Sequence, residues 1–162
     1  MTTVTWSHEI ESSADPAPLF KASMLDWHNL APKIWPDIVV SSTAVSGGGN
    51  HSIGSVRQLN FAPGVRPFAF VKERLDFIDM EKLECKSSLV EGGLIGVKLE
   101  SISFHYKFEA ASNGGCIVKL TVTLKTLAGA VAEGETESTK EGVTKRIKAV
   151  EAYLLANPTA YA

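Results

Sequence analysis

Along residues 38–127, apolar and polar side chains alternate with a period of two, which predicts strands. "DIVVSSTAV" and "SVRQLNF" are the first pair, followed by "RPFAFVKERLDFID", "KLECKSSLV", "VKLESISFHYKFEA" and "CIVKLTVTLKTL". The turns between them, "DMEK", "EGGLIG" and "SNGG", are short enough for hairpins, so the sheet is expected to be antiparallel. An earlier strand, "TVTWSHEIES", carries Val4, Trp6, His8 and Ile10 on one side. Then "SADPAPLFKASMLDWHNLAPKIWP" reads as two short helices. Asp15 is placed to cap the first, with Pro16 at its opening position; Asp26 is placed to cap the second, and Pro32 and Pro36 limit its length. A long helix closes the chain before Pro158, and its two halves differ. Val143, Ile147, Val150 and Leu154 form an apolar stripe in the second half, whereas the first offers only Val131 and alanines, interrupted by Gly134 and Gly142. A helix that covers a sheet with half a stripe leaves space beneath it.

Strand parity assigns the faces. Glu100, Ile102, Phe104, Tyr106 and Phe108 share one side of their strand, opposite Ser101, Ser103, His105 and Lys107. Cys116, Val118, Leu120, Val122 and Leu124 point inward on the next, with Lys119 and Lys125 outward. Arg57 shares a face with Leu59 and Phe61, and Phe68 with Phe70 and Lys72; Leu83, Cys85, Ser87 and Leu89 form a further inward set. Arg57 and Glu100 are then expected to pair at one end of the sheet, because a lone buried charge costs too much.

The glycine-rich "VSGGGNHSIGSVRQLNF" raises the possibility of a phosphate loop. Gly49 and Gly54 have P-loop spacing, but Ser55-Val56 stands where Lys and Ser or Thr are required. Gly47-x-Gly49 is followed by Ser52 rather than glycine, and Asn50 precedes His51-Ser52, so the dinucleotide fingerprint and the nucleophile elbow both fail. The loop also joins strand to strand and lacks the helix whose dipole would hold an anion. Its glycines are read as a tight connector and His51 as a solvated loop residue.

With 162 residues the chain is long enough for one domain, taken as residues 1–162, and its net charge of −2 gives no reason to expect nucleic acid. "MTTVTWSHEIES" lacks the basic and apolar regions of a secretory signal, and no apolar run approaches the ~20 residues that span a bilayer. Cys85 and Cys116 have no C-x-x-C spacing and are read as buried thiols of a reducing cytosol. His8, His28, His51 and His105 are scattered, so neither metal nor cofactor is expected.

The strings "LFKASMLDWHNLAPKIWP", "FVKERLDFID", "LVEGGLIG", "SNGGCIVK" and "AVEAYLLANPTAY" run nearly end to end. Through them the chain resembles the plant pathogenesis-related class-ten family, which includes the major birch-pollen allergen, and looks like a monocot-type member. The resemblance implies an α+β helix-grip fold: a seven-stranded antiparallel sheet wrapped around a long C-terminal helix, with two short helices after strand 1. It also implies a large apolar cavity. Ser46 stands where that family usually has an acid, and "GGGNHSIG" is about two residues longer than the usual loop.

What the resemblance implies for function is a cytosolic, monomeric, defence-related binder of apolar small molecules such as plant hormones, flavonoids or other aromatic metabolites, with no catalytic residue. The expected ligand-lining residues are Val39, Arg57, Leu59, Phe61, Phe68 and Phe70, with Cys85, Ser87 and Leu89 on the next strand. Ile102, Phe104 and Tyr106 follow, then Gly142 and Val143 on the helix. Cys85 and Ser87 are small where the birch-pollen member has tyrosines, which implies a roomier pocket. Two enzymatic alternatives follow from relatives. Condensation chemistry would use Lys72 with Tyr106, since it needs a base or amine of lowered pKa. Ribonuclease chemistry would use Arg57, Glu100, Glu151 and Tyr153, although a guanidinium cannot serve as a base. An interaction-only role lacks an exposed apolar stripe.

Overall fold

The alternating segments form strands β1 (Thr3–Ser12), β2 (Val39–Ser46), β3 (Val56–Phe61), β4 (Phe70–Asp79), β5 (Glu84–Gly92), β6 (Leu99–Ala110) and β7 (Cys116–Thr126) in a computed structural model that describes residues 2–46 and 52–162. They make one antiparallel sheet in the order β1-β7-β6-β5-β4-β3-β2. Only the β1–β7 contact is non-sequential, so every other neighbour is reached by a hairpin-type connection. At the β4–β5 turn the Asp79 carboxylate accepts the Glu81 and Lys82 N–H groups, each at 3.0 Å.

Helix α1 (Pro16–Phe20) runs into a π-helical turn, Lys21–Leu25, followed by α2 (Trp27–Ile34), and α3 (Glu133–Ala156) closes the chain. The inward residues of β7, Cys116 through Leu124, are exposed by no more than 1%. Val143, Ile147, Val150 and Leu154 of α3 enter the same core, together with Leu19, Phe20 and Leu30 from the short helices. This is the helix-grip arrangement, and the core lies between sheet and α3. Val131, just ahead of α3, is 77% exposed, so the polar first half of that helix adds little apolar cover.

Several local expectations are corrected. Pro32 does not end α2 but sits inside it. Pro32 has no N–H to give the His28 carbonyl, and the Ser42 hydroxyl of β2 donates to that carbonyl. Asp15 and Asp26 occupy N-cap positions without making side-chain cap bonds. The Asp26 carboxylate instead accepts Asn29 Nδ2 at 2.7 Å and the Tyr161 hydroxyl.

Glu100 is not inward. A bulge between Leu99 and Ser101 breaks the parity of β6, so Leu99 and Ile102 are buried while Glu100 is exposed and pairs with Lys125 at 3.0 Å. Phe70 is likewise turned. Residues 66–69 are irregular, so parity counted from Phe68 does not carry into β4. Glu73 lies opposite Arg57 on the inner face, which puts Phe70 and Lys72 on the outer one. There Lys72 Nζ stands 5.9 Å from the Phe70 ring centroid and pairs with Glu91 at 3.2 Å. A Cβ on Gly92 (φ +78°) would approach the Phe70 carbonyl to 2.4 Å, so only glycine fits where β5 ends.

Candidate functional site

Beneath the polar half of α3 lies a pocket of about 430 Å³. Its apolar wall comes from Leu89 of β5 and from Ile102 and Phe104 of β6, extended by Phe68, Leu94 and Leu99 from the loops and strand start at that end of the sheet. Glu135, Ser138, Thr139, Glu141, Gly142 and Lys145 of α3 form the other side. The incomplete apolar stripe and this pocket therefore coincide: where α3 has no large apolar residues to push into the core, the space stays open.

Of the residues expected to contact a ligand, Phe68, Leu89, Ile102, Phe104 and Gly142 line this pocket. Phe61 stands behind Phe68, edge-to-face at 5.6 Å, and Leu59 packs against the core beside it. Tyr106 stacks on Phe104, with centroids 6.2 Å apart and planes 15° from parallel. Cys85 pairs with Tyr106 across the β5–β6 ladder and Ser87 with Phe104; both are buried. Val39 and Val143 are core residues, and the Val39 N–H donates to the Trp35 carbonyl at 2.8 Å. Loop residues Val65, Gly93 and Leu94, which parity could not assign, complete the wall.

Deeper in, a charged cluster is centred on Glu73. Arg57 Nη2 donates to Glu73 Oε1 at 2.8 Å and Nε to the same oxygen at 3.2 Å. The Arg57 guanidinium also reaches the carbonyls of Met24 (2.6 Å) and Leu25 (3.1 Å) and His28 Nδ1 at 3.1 Å. Arg146 of α3 donates through Nε to the Ser23 carbonyl at 3.0 Å and through Nη2 to the same oxygen. Its guanidinium carbon lies 4.8 Å from the Trp27 ring centroid. Two arginines thus satisfy the carbonyls of the π-helical turn, whose own continuation is broken.

The electrostatics follow from burial and these partners. Burial pushes the Glu73 carboxyl up, but Arg57 and Arg146, with the Arg57 hydrogen bonds, together hold it below the ordinary carboxylate range. Burial and the nearby Glu73 charge push the Cys85 thiol up to about 12, and burial raises the Tyr106 phenol as well. Burial lowers Arg146, against the pull of Tyr106 and Glu73.

Arg57 therefore pairs with Glu73, not Glu100. Sequence reasoning missed Glu73 and Arg146, yet both carried a signal. Glu73 alternates with Val71 and Leu75, and Arg146 stands at the helical spacing of Val143, Ile147 and Val150. The ribonuclease set is not assembled. Glu100 is on the surface, and Glu151 accepts the Ser13 N–H at 3.3 Å and pairs with Lys148 at 3.4 Å. Lys72, the condensation candidate, lies on the outer face with Glu91. Among the described residues no group of His, Cys, Asp or Glu could hold a metal, and no helix is long and apolar enough to cross a membrane. The glycine loop connects antiparallel β2 and β3, and Gly54 takes φ +91° there; Gly47, Gly48, Gly49, Asn50 and His51 lie outside the described residues.

Comparison with known proteins agrees with this architecture. The chain is 51% identical over 161 residues to "Pathogenesis-related protein 1" of Asparagus officinalis, covering 99% of both chains. The crystal structure of Ara h 8.0201 superposes with a TM-score of 0.83 at 29% identity, over 96% of this chain and 99% of that one. Norcoclaurine synthase from Thalictrum flavum shares the fold at a TM-score of 0.78 and 19% identity, over 95% and 87%. The profile of the Pathogenesis-related protein Bet v 1 family matches residues 1–157, and the chain belongs to that family.

Proposed function

We propose that the protein is a defence-related carrier or reservoir that holds an apolar small molecule between the sheet and α3. The observation that carries this reading is the pocket of about 430 Å³, walled by Phe68, Leu89, Ile102 and Phe104 under the polar half of α3. The defence context comes from relatives named as pathogenesis-related proteins. Hormones, flavonoids and other aromatic metabolites fit such a wall. Burying about 300 Å² of apolar ligand surface yields roughly 7 kcal/mol gross. Ordering and desolvation reduce this, so the affinity is micromolar or weaker. We place the protein in the cytosol as a monomer, with the buried free thiols Cys85 and Cys116 suited to a reducing compartment. A condensing enzyme is the weaker reading, because Lys72 is engaged with Glu91 away from the pocket.

A dye that fluoresces in apolar surroundings tests this. It is expected to bind the folded protein with micromolar affinity and to be displaced by apolar aromatic compounds. Phe104→Trp adds bulk to the wall, so it weakens large ligands and leaves the unfolding midpoint unchanged. Overpacking a filled core would instead cost about 1–3 kcal/mol. A lowered midpoint with unchanged dye affinity would refute the assignment.

A further inference from the structure

The cluster beneath the pocket wall is not charge-balanced. It holds two guanidiniums, Arg57 and Arg146, and one carboxylate, Glu73, already doubly bonded by Arg57. The neighbouring Glu84 is engaged with His105. Arg57 is saturated by Glu73, two carbonyls and His28. Arg146 is not: Nε and Nη2 serve the Ser23 carbonyl, while Nη1 has no hydrogen-bond partner among the described residues. Tyr106 is 3% exposed and its hydroxyl likewise makes no hydrogen bond among them; neither group is fully sealed, since the fully buried unpaired side-chain atom among the described residues is Trp6 Nε1. Tyr106 is also the link to the pocket, because it stacks on Phe104, which lines it.

An unpartnered phenol and a guanidinium with spare donors form a site that lacks an acceptor. A ligand hydroxyl or carbonyl would satisfy the phenol but not the excess positive charge. A carboxylate would satisfy both, through charge-assisted hydrogen bonds in a poorly solvated interior. We propose that the preferred ligand is an apolar body bearing a carboxylate, received by Arg146 Nη1 and the Tyr106 hydroxyl behind the Phe104 wall. This rests on the small-molecule reading above and makes Arg146 and Tyr106 specificity-determining residues.

The test is calorimetry at pH 7 with a matched pair of probes, 2-naphthylacetate and the neutral 2-naphthylacetamide. Wild type is expected to bind the acid at least about tenfold more tightly. Arg146→Met should abolish that preference, and Arg146→Lys should keep part of it. Because Arg146 also holds the π-helical turn, Tyr106→Phe serves as the shape-preserving variant and should reduce the preference severalfold. Equal binding of the two probes by wild type, or a preference that survives both Arg146→Met and Tyr106→Phe, overturns this inference alone. Binding of neither probe overturns it together with the carrier reading.

Discussion

Arg57→Leu is the most informative single perturbation of the interior, because one side chain joins β3, β4 and the π-helical turn. Its loss leaves the Met24 and Leu25 carbonyls without the Arg57 donors and removes both hydrogen bonds to Glu73. Arg57 and Glu73 side chains are each 20% exposed, so water replaces these partners only in part. An unpaired buried carbonyl costs about 1–3 kcal/mol, and breaking a buried ion pair about 3–5. The contributions overlap, partial exposure lowers them, and Arg146 still faces Glu73, so a net loss of about 4 kcal/mol is expected. For a chain of 162 residues that is a fall in Tm of about 8–16 °C. Chemical denaturation of wild type, Arg57→Leu, Glu73→Leu and the double variant measures it. The double variant should recover roughly 2 kcal/mol relative to Arg57→Leu, because it no longer buries a carboxylate that has lost its main partner. The pH dependence has a defined sign. In wild type the Glu73 pKa is depressed, so its contribution is present above about pH 4.5 and is lost as pH falls through the folded value. In Arg57→Leu burial dominates and raises the carboxyl, so protonation relieves the penalty and the gap to wild type begins to narrow above about pH 4.5, as pH falls through the raised value. A loss under about 1 kcal/mol, or a double variant no more stable than Arg57→Leu, would refute this account of the cluster.

Two other expectations concern groups hidden by the fold. Ser42→Ala removes the hydroxyl that donates to the carbonyl Pro32 cannot serve, so it should cost about 1–2 kcal/mol, with the loss detected as a lower denaturation midpoint; an unchanged midpoint would contradict that role. The Cys85 thiol, buried and pushed up to about 12, should resist alkylation by iodoacetamide at pH 8 until the protein is unfolded, as read by mass spectrometry; rapid labelling of the native state would contradict its placement.

The alternation of β7 was readable because one face meets only the core and the other only solvent. The residues from Cys116 to Leu124 obey it without exception. The half-stripe of α3 was readable for the same reason, and it pointed to the space that the pocket occupies. Parity failed where the ladder is irregular. A bulge between Leu99 and Ser101 turned Glu100 to solvent, and the irregular chain before Phe70 turned that ring outward.

The sequence by itself determined the order of the elements, the antiparallel pairing and the existence of a poorly filled layer under α3, because periodicity and turn residues act over a few neighbouring positions. Tertiary structure alone decided which charges meet. Arg57, Glu73 and Arg146 are far apart in sequence and come together on three elements, while the carbonyls they serve lie on a fourth. Partner choice among buried charges depends on the register of β3 against β4 and on how α3 sits over the π-helical turn. Both are set by packing of the whole core, which no local pattern records.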